Sequence, residues 1–150
     1  MDADSREEFS LIYFGIPGKA VGKGRPRFTK NGHTFTPDGT RNYEELVRAL
    51  YKSKCKDEPT SEPVIVNINV YTTPAKSLTK KKKTELMKKL PMKKPDLDNV
   101  AKIILDALNE VAWQDDTQVV ALTVRRIWSN EDYVCVTIIK ENEVWRNSNE

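Results

Sequence analysis

The stretch that most constrains this chain runs from Lys94 to Asp116. Val100, Ile103, Ile104, Ala107, Leu108 and Val111 recur at the three-and-four spacing that builds one apolar helix face. Asp98, Lys102, Asp106 and Asn109 fall on the opposite side, and Lys102 stands one turn beyond Asp98, close enough to reach back over a carboxylate or a phosphate. Asp106, four beyond Lys102, is placed for an ion pair that positions the lysine. Leu105 lies near the polar stripe with Ala101, where a second chain or a strand could cover it. Pro95 disfavours helix at Lys94, and Asp98 or Asn99 suits an N-cap, so the helix is predicted to begin just after Asp98. Asp96 and Asp98 then lie two apart in extended backbone, pointing to one side.

The rest of the chain organises around that stretch. Its 150 residues suffice for one ordinary core. Net charge is only +3, but Asp2, Asp4, Glu7 and Glu8 crowd the start while Lys19 to Arg41 and Lys76 to Lys94 are strongly basic. That asymmetry favours a polyanionic partner. The expected divisions are an acidic tail over 1–8, a folded domain over 9–140 and a polar tail over 141–150. Cys55 and Cys135 stand eighty residues apart without a histidine cluster, so they form neither a zinc pattern nor a disulfide framework. No apolar run is long enough to span a membrane, and the acidic start is unlike a secretion signal, so a cytoplasmic location is expected.

Phe9 to Ile16 is nearly continuous in apolar residues and reads as a central strand buried on both faces. A glycine-rich basic loop follows, in which Lys23, Arg25 and Arg27 can bind phosphate oxygens and Gly22 and Gly24 allow close backbone approach. His33 to Pro37 reads as a short strand. Thr40 to Lys54 reads as a helix with Tyr43, Leu46, Val47, Leu50 and Tyr51 on one side. Val64 to Tyr71 alternates as a half-buried strand. Thr79 to Leu90 is predicted to be helical, capped by Thr79 and anchored by Leu86 and Leu90. Gln118 to Trp128 and Tyr133 to Ile139 read as an antiparallel hairpin turning at Ser129 to Asp132.

Asp96, Asp98 and the Asp115-Asp116 pair are the candidates for chemistry. Carboxylates without neighbouring histidine or cysteine select Mg²⁺ or Mn²⁺ over zinc. Such an ion suits phosphodiester hydrolysis, with Lys102 adding charge at the phosphate. Nine lysines between Thr72 and Lys94, among them Lys80, Lys81, Lys82, Lys83, Lys93 and Lys94, lead directly into these acids. A solvated lysine face is the competing reading of that run.

Lys94-Pro95-Asp96-Leu97-Asp98-Asn99, then Lys102, Leu105 to Asn109 and Trp113 to Val120, strongly resembles the RusA family of Holliday junction resolvases. Pro17-Gly18 and Lys23-Gly24-Arg25-Pro26-Arg27 are similar to that family's N-terminal basic loop. The resemblance implies a compact mixed α/β (α+β) domain acting as a homodimer on branched DNA, a four-way junction. It further implies that Asp96, Asp98 and Asp116 are the metal-binding acids and Lys102 the essential lysine. Asp115 is the other member of its pair, and adjacent residues in an extended segment face opposite ways. A broader branched-DNA or flap nuclease and a non-catalytic junction-binding protein are the alternative functions.

Overall fold

The computed structural model describes residues 9–24, 27–28, 32, 34–35 and 38–141. Both tails, Arg25 and His33 fall outside them. The elements in order are strand β1 (Phe9–Pro17), a two-residue pair β2 (Arg27–Phe28) and β3 (Thr34–Phe35), helix α1 (Asp38–Lys54), strand β4 (Val64–Thr72), helices α2 (Lys80–Leu86) and α3 (Leu97–Leu108), and strands β5 (Val119–Trp128) and β6 (Tyr133–Glu141). They form a mixed four-stranded sheet, ordered β1-β6-β4-β5, with helices α1 and α3 on one face.

Alternation in β4 sets the layers. Val64, Val66, Ile68 and Val70 are buried beneath the helices, while Ile65, Asn67, Asn69 and Tyr71 point to the open face. Burying the first set removes most of four aliphatic side chains from water, each contributing about 1.5–3 kcal/mol before ordering costs. The apolar stripe of α3 seals the same layer through Val100, Ile103, Ile104, Ala107 and Leu108. Tyr43, Val47 and Tyr51 of α1 close it from the side, with the Tyr51 ring edge-on to Phe14 at 6.2 Å. On the open face Tyr71 and Tyr133 stack at 4.3 Å.

Three expectations are corrected. The strand from Phe9 is an edge strand, paired only with β6, and its outward Phe9, Leu11 and Tyr13 are exposed. Its apolar run reflects a sheet whose second face carries apolar side chains without a covering layer. The β5–β6 hairpin does not form: β5 runs parallel to β4, and β6 crosses over to lie between β1 and β4. Val134, Cys135, Val136 and Ile138 of β6 are buried, which suits an interior strand, whereas β5 is left at the edge. The lysine-rich helix ends at Leu86, and Leu90 is 93% exposed rather than an anchor. Its start is as expected, with Thr79 accepting the Lys82 N–H.

Candidate active site

The β-α-β unit of β4, α3 and β5 divides the acidic residues between two ends of the sheet. α3 begins two residues earlier than its cap preferences suggest. The N–H groups of Asn99 and Val100 both close on the Asp96 carbonyl, so Asp96 is the N-cap and Asp98 lies in the first turn. The Asp96 side chain makes no capping hydrogen bond. Asp96 and Asp98 are both exposed, and the helix dipole places partial positive charge beside them.

Two distant segments hold this mouth. Arg126 of β5 donates to the Pro95 carbonyl and, at 3.5 Å, to the Lys94 carbonyl, and reaches Thr72 Oγ1 at 3.4 Å. Burial lowers the Arg126 pKa, and the Asp96 charge partly offsets this. The Lys23 N–H donates to the Asn99 carbonyl at 3.0 Å. Gly22 permits that approach, since a Cβ there would stand 3.0 Å from Pro95 Cβ and 3.2 Å from Asn99 Cβ. The close backbone approach expected of this glycine-rich loop is made to Pro95 and Asn99 within the chain, and no sequence motif singles out Arg126. The signal for Arg126 was its parity: it shares the helix-covered face with Val124, a position where a strand normally carries an apolar residue.

The other acids sit past the far end of α3. Trp113 is fully buried and its indole N–H donates to Asp116 Oδ1 at 2.9 Å. Asp115 accepts from the N–H and hydroxyl of Thr117 at 3.0 and 2.6 Å, capping the short 3-10 turn Asp116–Gln118. Gln118 accepts from the N–H groups of Gln114 and Asp115 and donates to the carbonyls of Thr60 and Glu62, just before β4 begins. Asp116 therefore stands at the entry end of β4 and β5, and Asp96 at their exit end. The 12 residues of α3 lie between, about 18 Å of helix. Among the described residues no group of three or more His, Cys, Asp or Glu side chains is placed to hold a metal ion. Asp96 and Asp98 are thus brought together, and Asp116 is not brought to them within one chain.

The predicted cations divide in the same way. Lys102 is exposed on α3 and has no ion pair among the described residues. Asp106 pairs instead with Lys23, at 3.0 Å, and Lys23 also holds Glu44 at 2.6 Å. Burial acts to lower the Lys23 pKa, but the two carboxylates outweigh it and the pKa is raised. This ammonium is committed to internal carboxylates. Lys80, Lys81, Lys82 and Lys94 are exposed, and Lys93 donates to the Thr73 carbonyl at 2.7 Å. Lys83 lines a cavity of about 560 Å³ with Lys19, Lys76, Met87 and Asp132 at the exit end of the sheet. Arg27 lies in β2, and Arg25 is outside the described residues.

No helix among the described residues is long and apolar enough to cross a membrane. An uncharacterised protein of Bacillus subtilis (strain 168), YqaN, is 36% identical over 134 residues, covering 85% of this chain and 94% of that protein. The family model of the endodeoxyribonuclease RusA matches residues 17–139, from the end of β1 into β6 and across both acidic ends. That match takes in far more than half of the sequence, and the chain belongs to the RusA endodeoxyribonuclease family.

Proposed function

We propose that this chain is one protomer of a homodimeric, structure-selective endodeoxyribonuclease that resolves four-way DNA junctions by paired nicks in the cytoplasm. Mg²⁺ is its ion, and Mn²⁺ can replace it. Family membership supports the reaction class. The division of the acids between two ends of one sheet supports the dimer. Asp96 and Asp98 of one copy and Asp116 of the other form a donor set that a single chain lacks, and their hard carboxylate oxygens suit Mg²⁺. Two such sets per dimer match the two nicks a two-fold symmetric junction requires.

A divalent ion held there would supply Lewis-acid charge and a more acidic water near the phosphodiester. The chain's own groups do the rest. Lys102, without an ion pair among the described residues, offers its ammonium one turn along the helix from Asp98, where negative charge grows on the phosphate. Arg126, through the carbonyls it holds, fixes where Asp96 stands. Lys80, Lys81, Lys82, Lys83, Lys93 and Lys94 draw the DNA backbone to the exit end of the sheet.

Cleavage of a synthetic four-way junction with Mg²⁺, beside Asp96→Asn and a metal-free control, tests this reading. Paired symmetric nicks that vanish in both controls are expected, with junction binding retained. Binding without cutting under either ion would leave a junction-binding protein. The exposed lysines of α2 favour a second reading, a nuclease that also cuts flaps and forks. Junction and flap cleavage compared at one salt concentration separates the two.

A further inference from the structure

We propose that the cavity between α2 and the turn joining β5 to β6 takes one nucleotide displaced from its pair at a DNA branch, its phosphate on lysines and its base against Met87. This rests on the reading of branched DNA as the substrate and names how a branch is told from continuous duplex.

The cavity, of about 560 Å³, stands on a floor held by hydrogen bonds between three segments. The Asp132 carboxylate accepts from the Thr73 N–H at 2.9 Å and from the Thr73 hydroxyl at 3.1 and 3.2 Å, and the Gly18 N–H closes on the Asp132 carbonyl at 3.1 Å. The Ser129 N–H donates to the Thr72 carbonyl at 2.9 Å. Opposite, the segment after α2 is tied back by the Trp128 indole, which donates to the Lys89 carbonyl at 2.8 Å, and by Lys93 on the Thr73 carbonyl. The hollow is therefore preformed, and a ligand entering it need not order these walls.

Its lining suits a nucleotide. Lys19, Lys76 and Lys83 face it and form no ion pair among the described residues. Of the two carboxylates beside them, Asp132 is engaged by Thr73 and Glu131 is exposed on the turn. Met87 and Pro74 supply apolar wall, and Asn130 an amide that can both donate to and accept from a base edge. The volume falls in the range of small-molecule sites and exceeds what a phosphate alone needs.

A second cavity, of about 200 Å³, shares Lys19 and Asp132 with the first and runs past Lys93, Lys94 and Arg126 to Pro95, the residue before Asp96. The two form one trough in which six cations face two carboxylates. A strand with one phosphate at Asp96 can continue along it. A base in continuous duplex must be extruded from its stack to enter, whereas at a branch the stack is already interrupted. Lys80, Lys81 and Lys82 do not line the cavity and can serve any DNA backbone.

Fluorescence anisotropy of a labelled four-way junction and of a duplex of the same sequence, in EDTA and at one salt concentration, tests the cavity without cleavage. At each nucleotide flanking the branch, a mismatched base is compared with an abasic nucleotide, so that the cost of unpairing is absent from both. For the full-length wild type, the abasic junction is expected to bind about fivefold more weakly than the mismatched one at one such position. Met87→Glu is expected to abolish that difference. Lys83→Gln should weaken junction binding more than duplex binding, whereas Lys81→Gln, outside the cavity, should weaken both alike. All three positions lie on the surface of the lysine-rich segment, and the variants should keep the wild-type circular dichroism spectrum. A wild type that never distinguishes abasic from mismatched DNA overturns the inference, as does a difference that survives Met87→Glu or a Lys83→Gln loss shared equally by the duplex. Junction cutting without the base dependence would defeat the inference alone. Base dependence without cutting in Mg²⁺ would leave it standing and defeat the functional reading instead.

Discussion

The two ends of the β4–β5 pair are built by different means. At the entry end the acids are fixed by residues a few positions away: Trp113 holds Asp116, Thr117 holds Asp115, and Gln118 gathers the turn and ties it to Thr60 and Glu62. At the exit end Asp96 has no capping bond, and its backbone is held by Arg126, thirty residues later, and by Gly22 and Lys23, more than seventy earlier. One end is a turn whose acids are held by near neighbours in sequence and which docks on Thr60 and Glu62 ahead of β4. The other exists only once the sheet and the N-terminal loop have assembled. A site drawing on both ends therefore depends on folding and on association, and the two dependences can be separated by mutation.

The largest effect is expected from the acids themselves. Asp96→Asn or Asp116→Asn alone should lower junction cleavage by about a hundredfold or more, the loss of several kcal/mol of charge stabilisation. Co-refolding the two variants breaks the comparison decisively. A mixed dimer holds one set with both substitutions and one set with neither, so nicking at a single position should return in gel assays. If all three acids acted within one chain, each set in the mixed dimer would be damaged and no cleavage would return.

Trp113 separates the fold of the entry end from its chemistry. Trp113→Ala empties a fully buried site and should cost about 3–5 kcal/mol in urea unfolding. Trp113→Phe keeps most of the volume but removes the N–H to Asp116. It should cost about 1 kcal/mol and lower cleavage about tenfold, since a residue orienting a ligand is worth that much. Arg126→Met makes the matching test at the exit end. The carbonyls of Lys94 and Pro95 lose their donor, and cleavage should fall several-fold with junction affinity little changed, because Arg126 faces the protein backbone. Loss of affinity equal to the loss of cleavage would instead make Arg126 a DNA contact.

That contrast also explains what could be read in advance. α1, α3 and β4 follow from period alone, because each buries one face and the spacing of Tyr43, Val47 and Tyr51 or of Val64, Val66 and Ile68 records it. Strand pairing leaves no such record. Tyr133 to Ile139 is separated from β5 by only a short turn, and proximity suggested a hairpin, yet the strand's buried residues place it inside the sheet beside β4. The start of α3 differs by two residues from the expected one because Asp96 and Asp98 have equal capping preference; which one caps depends on where Gly22 and Arg126 bring the backbone. Asp106 was matched to Lys102 on helical spacing, and Lys23 reached it from another part of the chain. The acids can be picked out in the sequence as a candidate set. Their separation cannot, because it depends on which way α3 runs along the sheet.

The smallest expected effect concerns Asp115, and it sharpens the contrast by pH. The Thr117 hydroxyl first, then the N–H groups of Thr117 and Asp116, hold its carboxyl below the ordinary value of 3.8, with burial acting weakly the other way. A carboxyl whose pKa is lower in the folded state binds protons more readily when unfolded. Its stabilising contribution is therefore complete above about pH 4, the unfolded value, and is lost as pH falls through the depressed folded value. Asp115→Ala should melt slightly below the wild type at pH 7 by circular dichroism, and the two curves should converge in acid. Asp115→Asn, which keeps an acceptor for the Thr117 N–H without the charge, should fall between them at neutral pH and show the weaker pH dependence. A gap for Asp115→Ala that stayed constant into acid would mean that the turn is held by Gln118 and packing, with the Asp115 charge contributing nothing.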